Sequence, residues 1–471
     1  MANTAIKPGK PFAAVELFAL LFGLFLGLSI VKFGNPVILD SKVDPPTTTW
    51  EFWNYAWPPH WANFCLVPLA IAGAILIFSR RRSWPAGRWL GLLPLGWLGW
   101  QFLSAAQTVD FSLTAATLWQ FSGCVACYFL GAFLFGSDRA RCWLLAGVLA
   151  AFTFCLIRAI DQRIFEFPME RQALVEGQGE GWTNLPPAMI LEMKHEQIII
   201  NTNGTDVANP VILQKFAKGR VNGTMVYPNA LAEIILLLLP VSLALAFHST
   251  RKLKSSIRLA VIALVVFLGG AAFFWTGSKL GWLIGMALVG LYLFRLNWPK
   301  KLKWAAVILM AVLGLGIFAV RFHNYFAAGA TSVGARFDYW RAAGETTRTH
   351  PAFGTGPGTF QRPYAQLKAP DAEMARLTHN DFLEQFSDSG LIGGAAYAAW
   401  IFLALIWVGR VLWPRNDPVP FACFIGIAGW FTQGLGEFGL YIPGSAWVAF
   451  TLLGSLIALF GNQFDKKSRS G

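Results

Sequence analysis

Apolar segments long enough to cross a lipid bilayer recur along this sequence, and they constrain the fold more than any other feature. The chain has 471 residues, is 55% hydrophobic and is only 13% charged, whereas soluble proteins carry about 25% charged residues. The sequence therefore predicts an all-α polytopic membrane protein, a single integral membrane domain over residues 1–471 with about twelve transmembrane helices. The predicted spans cover residues 12–33, 62–79, 89–106, 112–136, 142–160, 227–247, 259–276, 279–295, 304–320, 389–412, 420–439 and 444–461.

The distribution of charge predicts an orientation for these spans. The formal net charge is +13 at pH 7, but the excess of Lys and Arg lies in short loops on one side, such as 80–88, 251–258 and 295–303. Cytoplasmic loops of membrane proteins carry this excess. We therefore predict cytoplasmic termini, an even number of spans and contact with membrane lipids, and no nucleic-acid partner. The first segment is predicted to be a span because it follows Lys7 and Lys10 and has no small-residue cleavage site after it.

Two long polar segments, residues 161–226 and 321–388, lie on the opposite, outer side. Long loops in compact proteins are commonly functional or partly folded. In the second segment, a helix is predicted to begin at Ser332 or Asp338 and to end before Pro351. A further helix is predicted over residues 372–388, with Asp371 as its cap.

The stretch from 336 to 394 concentrates Arg, His, Asp and Asn between apolar spans. Charge is costly near lipid, so such a cluster commonly marks a functional site. Arg336 and Arg341 are five positions apart, which separates them by about 140° on a helix. Arg336 is therefore predicted to face inward, with Arg341 as a supporting residue. The glycine-rich run at 354–360 lacks the strand and the Lys-Ser/Thr ending of a nucleotide-binding loop, so a turn is predicted there.

His379 is the candidate general base, since a neutral imidazole is the commonest base near neutral pH. Asp381 and Glu384 follow it closely, and either could orient the ring. Asn380 is a further supporting candidate. The alternative is that His379 is purely structural. His379 has no recognised metal-ligand spacing to the other histidines of the outer segment, His323 and His350, so no metal site is predicted.

A second polar group lies at residues 219–233, at the outer mouth of the sixth predicted span. Arg220 could clamp an anion, because a guanidinium holds phosphate oxygens in a fixed fork. The alternative is an arginine that reaches the headgroup region beside a capped helix start. Asn229 and Glu233 are polar where lipid favours apolar side chains. In the tight outer turn at 276–279, Lys279 could face a phosphate or anchor the helix at the interface.

The order of these motifs resembles that of the bacterial O-antigen ligase and O-antigen polymerase superfamily. The patterns G-R-x-x-G-T-x-x-x-P-N-x-x-A and T-G-S-K are followed by R-x-x-x-W, H-P-x-x-G-x-G-x-x-x-F, H-N-x-x-L and G-L-I-G. When the pattern of apolar segments is compared together with these motifs, the resemblance covers nearly the whole chain. In the outer segment, the matching positions are Arg336, Trp340, Pro351, Gly354, Gly356, Phe360, His379, Asn380, Leu383 and 390–393.

The resemblance implies an inner-membrane glycosyltransferase that needs no metal or other cofactor. Members of the family move a glycan from undecaprenyl pyrophosphate to an acceptor hydroxyl at the periplasmic face. Carried over to this chain, Arg220 and Arg336 hold the pyrophosphate, and His379 deprotonates or positions the acceptor hydroxyl. Two departures are visible: Lys279 stands where the family usually has Arg, and Asp388 stands where Glu is more usual.

The identity of the acceptor is left open by the sequence. A ligase is predicted, and the alternatives are a polymerase of O-antigen or exopolysaccharide repeats and a transferase that places glycans on protein Ser or Thr. A polysaccharide or lipid transporter is the alternative from another class. Against it, the sequence shows no internal duplication, and its long polar segments lie on one side. The middle of 161–226 is expected to cover the site or to dock the acceptor.

Overall fold

The structure, a computed structural model, describes residues 13–79, 88–327 and 329–468. Of the basic residues on which the predicted orientation depends, Lys7, Lys10 and the arginines at 80–82 lie outside these residues. The α-helices are α1 Ala14–Lys32, α2 Thr49–Asn54, α3 Trp61–Ser79, α4 Arg88–Ser104, α5 Phe111–Leu134, α6 Asp138–Asp161, α7 Phe167–Gly179, α8 Pro187–His195, α9 Pro210–Lys218, α10 Pro228–Thr250, α11 Ser255–Thr276, α12 Lys279–Arg295, α13 Lys300–Ala327, α14 Thr331–Thr349, α15 Gln361–Leu367, α16 Asp381–Leu412, α17 Pro418–Gln433 and α18 Pro443–Ser468. The strands are β1 Ile199–Thr202 and β2 Thr205–Ala208.

Within the described residues, 8 helical segments are long and apolar enough to cross a membrane: α1, α3, α5, α6 together with α7, α10, α11, α13 and α16. The prediction of an all-α polytopic membrane protein is confirmed at this level. The other predicted spans coincide with α4, α12 and α17, of 17, 17 and 16 residues, and with the shorter apolar part of α18, Pro443–Leu459. The count of twelve spans therefore stays a prediction.

Glycines allow the helices at the centre of the bundle to approach closely. A Cβ atom on Gly23 of α1 would lie 2.2 Å from the carbonyl oxygen of Leu144 in α6, and one on Gly131 of α5 would lie 2.2 Å from that of Thr451 in α18. Small residues permit this approach between membrane helices. By contrast, α11 and α13 are exposed along most of their length, as expected of helices that face lipid. The central bundle is thus a rigid support for the loops at its outer end.

Residues 161–226 form a small folded unit rather than a loose loop. A π-helical turn, Gln162–Glu166, joins α6 to α7, and the unit then continues through α8, the hairpin and α9. The two strands are antiparallel, with Ile199 opposite Ala208, and this hairpin is a local exception to the all-α prediction. Both residues are buried together with Leu174 and Trp182 in a core separate from that of the bundle.

The helices of the second outer segment differ in part from the prediction. The expected helix is present as α14, which ends at Thr349 beside Pro351. The prediction of a helix over 372–388 is wrong, because α16 begins only at Asp381. The side chain of Asn380 caps it by accepting the N–H groups of Phe382 and Leu383 at 3.1 and 3.0 Å. Residues before an N-cap lie outside the helix, so His379 is carried by a loop.

The glycine-rich run packs into a kink of α16, and the predicted turn is confirmed. Ser389 and Gly390 break the helical geometry of α16. There the N–H of Leu391 donates to the carbonyl oxygen of Pro351 at 2.8 Å. Gly354 has a positive φ of 65°, and a Cβ atom on it would lie 2.3 Å from the backbone of Asp388. Glycine is therefore required here both for the backbone conformation and for the space.

Candidate active site

One buried carboxylate gathers the polar side chains at the outer end of the bundle. Glu437 lies in the loop between α17 and α18, and its side chain is only 1% exposed. Its Oε1 accepts hydrogen bonds from Arg336 at 2.5 Å and from Asn229 at 2.7 Å. Its Oε2 accepts the hydroxyl of Tyr227 and lies 3.3 Å from Nδ1 of His379. Side chains from three separate parts of the sequence therefore meet at one carboxylate.

Arg220 joins the same group through Asn229. Its terminal nitrogen donates to Oδ1 of Asn229 at 2.8 Å, and its Nε donates to the carbonyl oxygen of Thr276 at 2.7 Å. Because Asn229 also donates to Glu437, one amide links Arg220 to the carboxylate that holds Arg336. The structure thus brings together the two arginines that the sequence analysis expected to converge, although they are far apart in the chain.

The loop that carries Arg220 is itself fixed by the π-helical turn. The side-chain oxygen of Gln162 accepts the N–H groups of Asn222 and Gly223 at 3.2 and 2.8 Å, and its amide donates to the carbonyl oxygen of Gly223 at 3.2 Å. Gln162 is buried. A buried amide with both ends satisfied holds a backbone segment firmly, so the position of Arg220 depends on this turn.

Lys279 lies beside the arginines but is in contact with aromatic rings. Its Nζ lies 3.6 Å from the ring centre of Tyr325 and 5.3 Å from that of Phe322. It is close enough to Arg220 and Arg336 for their charges to act on it. The tight turn before it is formed by Gly277, with a φ of 59°, and by Ser278, whose hydroxyl caps α12. The structure therefore adds a third positive charge at the edge of the group.

His379 is held by its ring and by its backbone. Its φ is 52°, a left-handed conformation that non-glycine residues rarely adopt and that commonly marks functional sites. The ring stacks on Tyr339 and meets the edge of Phe438, with ring centres 6.0 and 4.8 Å apart. An ionised carboxylate can only accept, so the contact with Glu437 places the ring proton on Nδ1. The basic lone pair of His379 is then on Nε2.

The charges in this group favour an ionised Glu437. Burial alone raises the pKa of its carboxyl, but the hydrogen bond from His379 and the positive charge of Arg336 outweigh burial and hold the pKa below its ordinary value. Burial and the charge of Glu437 raise the pKa of Tyr227, which therefore remains a donor. One negative charge faces Arg220, Arg336 and Lys279. The net positive charge makes this a place where an anion such as a phosphate is stabilised.

Other predicted residues lie elsewhere. Arg341 is 72% exposed and pairs with Asp338, so it is not part of the group. Asn380 caps α16. Asp381 accepts the N–H of Leu440 at 3.2 Å, and Glu384 accepts the N–H of Thr378 at 2.5 Å. The prediction that Asp381 or Glu384 orients the imidazole of His379 by direct contact is wrong, because Glu437 makes that contact.

Glu437 is the residue that the sequence reasoning missed. It was included in a predicted apolar span, 420–439, whereas α17 ends at Gln433. A signal was available, since Glu437 is the single acidic residue between Asp417 and Asp465. An ionisable residue inside an apolar segment is a candidate functional residue by default. Among the described residues, no three His, Cys, Asp or Glu side chains are grouped so that they could hold a metal ion.

Comparison with known proteins shows similarity over parts of this chain. A protein of Haemophilus influenzae described as an uncharacterized protein is 26% identical over 246 residues, which cover 46% of this chain and 60% of that protein. The chain thus spans less than two thirds of this relative. Residues 264–398 match the profile of the family described as O-antigen ligase, and this match includes Lys279, Arg336 and His379. The match confirms the resemblance seen in the sequence: residues 264–398 of this multi-pass membrane protein are similar to the O-antigen ligase family.

Proposed function

We propose that this protein transfers a glycan from an undecaprenyl-pyrophosphate donor to an acceptor hydroxyl at the periplasmic face of the bacterial inner membrane. The family suggests a membrane glycan transferase of the O-antigen ligase or polymerase kind. The observation that carries the finer proposal is the meeting of Arg336, Asn229 and His379 at Glu437. This arrangement supports the proposal because glycan transfer from a pyrophosphate requires a cation for the leaving group, here Arg336, beside a base, here His379.

The donor pyrophosphate is proposed to bind between Arg220 and Arg336. Negative charge grows on the leaving pyrophosphate as its bond to the anomeric carbon breaks, and cations fixed in place stabilise that charge without reorganising. Each guanidinium carries more N–H donors than its contacts with Thr276, Asn229 and Glu437 use. Lys279 is proposed to add a point charge at the edge. Breaking the bond between the anomeric carbon and the pyrophosphate supplies the driving force, so no nucleotide is required.

His379 is proposed to act on the acceptor. The acceptor oxygen attacks the anomeric carbon, the bond from that carbon to the pyrophosphate oxygen breaks, and Nε2 of His379 takes the hydroxyl proton. Glu437 holds the Nδ1 proton and stabilises the imidazolium that results, as a buried carboxylate does for a catalytic histidine elsewhere. One C–O bond forms, one C–O bond breaks and one proton moves to Nε2 of His379, so the proposed reaction needs no metal ion.

The acceptor is proposed to be a lipid or glycan that reaches the site from the outer side. The folded unit at 161–226 ends at the loop of Arg220, so it stands beside the proposed cleft, and it is proposed as the acceptor surface. Both termini are proposed to be cytoplasmic. A ligase is proposed, in line with the description of the matched family; a polymerase or a protein O-oligosaccharyltransferase is the alternative and would share the donor chemistry.

Deletion of the gene, followed by analysis of the surface glycan, of lipid-linked intermediates and of glycan on protein, tests the proposal. Loss of attachment while full-length lipid-linked chains accumulate supports a ligase. Accumulation of single lipid-linked repeat units indicates a polymerase, and loss of glycan from protein indicates the third acceptor class. Unchanged glycan in all three fractions, in a strain that normally expresses the gene, would contradict the proposed function.

A further inference from the structure

Three carboxyl side chains follow one face of the first turns of α16. Asp381, Glu384 and Asp388 are spaced by three and four residues, so they lie one above the other on the helix. All three are buried, with exposed fractions of 2, 1 and 0%. In the described part of the chain, one oxygen of Glu384 and one of Asp388 have no hydrogen-bond partner. A buried oxygen without a hydrogen-bond partner costs free energy, so its presence in a native structure needs an explanation.

Each of these carboxyls accepts a backbone N–H from a different loop. Asp381 accepts that of Leu440 at 3.2 Å, in the loop that carries Glu437. Glu384 accepts that of Thr378 at 2.5 Å, immediately before His379. Asp388 accepts that of Gly358 at 2.6 Å, in the glycine-rich run after α14. One helix face therefore fixes the three loops that surround the proposed site.

The backbone around His379 is fixed on both sides. The hydroxyl of Thr378 accepts the N–H of Asn380 at 3.1 Å and donates to the carbonyl oxygen of Asn380 at 2.8 Å. The N–H of Asp381 donates to the carbonyl oxygen of Gly434 at 2.7 Å. His379 lies between these bonds at a φ of 52°. A non-glycine residue persists in this conformation only where its surroundings determine it.

We propose that Asp381, Glu384 and Asp388 are positioning residues, and that Glu384 in particular sets the place of the His379 imidazole by holding the N–H of Thr378. The inference rests on the proposed role of His379 as the base. Glu384 acts through the backbone and does not touch the substrate. Its contribution is therefore to turnover, since Arg220 and Arg336 are held by other contacts.

The proposed role needs an oxygen that accepts a hydrogen bond, and it does not need a charge. A glutamine carbonyl oxygen accepts the same N–H, whereas alanine has no acceptor. Glu384→Gln is therefore expected to restore most of the activity that Glu384→Ala loses. Displacement of a catalytic group by about 1 Å can cost roughly 10²-fold in rate, and that is the loss in kcat expected for Glu384→Ala.

The experiment compares wild type, Glu384→Ala, Glu384→Gln and the control Glu345→Ala, all purified and reconstituted with a lipid-linked donor. Glu345 is an outer carboxylate of α14 that pairs with Arg348 at the surface, so its loss should leave kcat unchanged. The readouts are kcat, the KM for the donor and the thermal unfolding midpoint. A fourth is the ¹⁵N spectrum of the histidine rings, with His379 assigned by its absence in His379→Gln.

The expected result is a fall in kcat for Glu384→Ala with an unchanged donor KM and a changed ring signal of His379, and recovery of both in Glu384→Gln. Two results would overturn the inference: wild-type kcat in Glu384→Ala, or a Glu384→Gln variant that is folded but as slow as Glu384→Ala. If Glu384→Ala does not fold, Glu384→Gln is compared with wild type: wild-type kcat and ring signal are expected, and a folded Glu384→Gln variant that is about 10²-fold slower would overturn the inference. The ring signal separates this inference from the proposed function, because it reports the place of His379 even if His379→Ala proves active.

Discussion

Nδ1 of His379 and Oε2 of Glu437 lie 3.3 Å apart, although 58 positions separate these residues in the sequence. His379 immediately precedes the α16 cap, and Glu437 lies four residues after the end of α17 at Gln433. The apolar helices α16 and α17 thus leave the outer end of the bundle and return to it, and the contact joins the start of α16 to the loop after α17. Any change that shifts α16 against α17 therefore changes the geometry of this pair.

Replacing His379 with alanine is expected to reduce transfer by roughly 10²- to 10⁴-fold, the range for loss of a general base. Donor binding should persist, because the arginines are held independently of the ring. The measurement is the rate of transfer by purified, reconstituted protein. His350→Ala is the matched control, since His350 is an exposed histidine of the same outer segment. A folded His379→Ala variant with the wild-type rate would remove the base from the proposed mechanism.

Arg220→Ala and Arg336→Ala are each expected to lower transfer by about 10²-fold or more, the typical loss of one electrostatic stabiliser. Lysine at either position should retain part of the activity, because it keeps the charge but loses the fork. The test measures rate and donor affinity for all four variants. Arg341→Ala, which removes an exposed arginine of the same helix as Arg336, should behave as wild type. Equal losses for lysine and alanine would argue that shape, rather than charge, matters.

Glu437→Gln is expected to destabilise the fold by on the order of 3 kcal/mol at neutral pH, because it leaves Arg336 without its buried partner. The pKa of Glu437 in the folded protein is lowered. Its ionised form therefore contributes stability that is fully present above the ordinary glutamate pKa of about 4.3, and that is lost as the pH falls through the lower, folded-state value. Thermal unfolding midpoints should show a gap between wild type and variant that narrows in acid. A gap independent of pH would mean that the charge is unimportant.

Transfer is expected to continue after exhaustive chelation of divalent metal ions. The cations Arg220, Arg336 and Lys279 can neutralise the leaving pyrophosphate, so no metal is needed in the proposed reaction. The measurement is the rate with purified donor before and after treatment with a chelator. Activity that stops and then returns with added Mg²⁺ or Mn²⁺ would assign a metal-binding role to carboxylates such as Asp381, Glu384 and Asp388.

Replacement of residues 175–210 is expected to change or abolish use of the acceptor while binding of the donor persists. The replaced part contains the hairpin and most of the separate core around Trp182, whereas Arg220 lies outside it. Donor binding and transfer to the natural acceptor are measured on the same preparation. A parallel loss of both would mean that this unit supports the donor site and has no separate part in choosing the acceptor.

Much of this arrangement could be predicted from local patterns. Hydropathy located the long helices, and the helical period separated Arg336, which meets Glu437, from Arg341, which faces solvent. The hairpin also had a local signal. Asn203 and Gly204 both have positive φ between β1 and β2, and Asn-Gly is a preferred two-residue turn, although the same residues also match a glycosylation triplet.

The partner of His379 could not be predicted from its neighbours. Asp381 and Glu384 are closer in sequence, but their carboxylates accept the backbone N–H groups of Leu440 and Thr378 instead. The start of α16 was misplaced for a related reason. Residues 371–380 have a helix-like composition, yet the Asn380 cap and the bonds of Thr378 hold them in another conformation. These outcomes depend on contacts between distant segments, which local propensity does not encode.

The π-helical turn at Gln162–Glu166 makes α6 and α7 a single rod. The continuous segment Asp138–Gly179 has 42 residues, which corresponds to about 60 Å at 1.5 Å per residue. Its inner part is clamped in the bundle, its outer part belongs to the unit with the hairpin, and Gln162 lies between them. Twisting the outer part about the rod axis turns Gln162, which holds the backbone two residues from Arg220. The unit proposed as the acceptor surface is thereby mechanically connected to Arg220, the arginine proposed to bind the pyrophosphate.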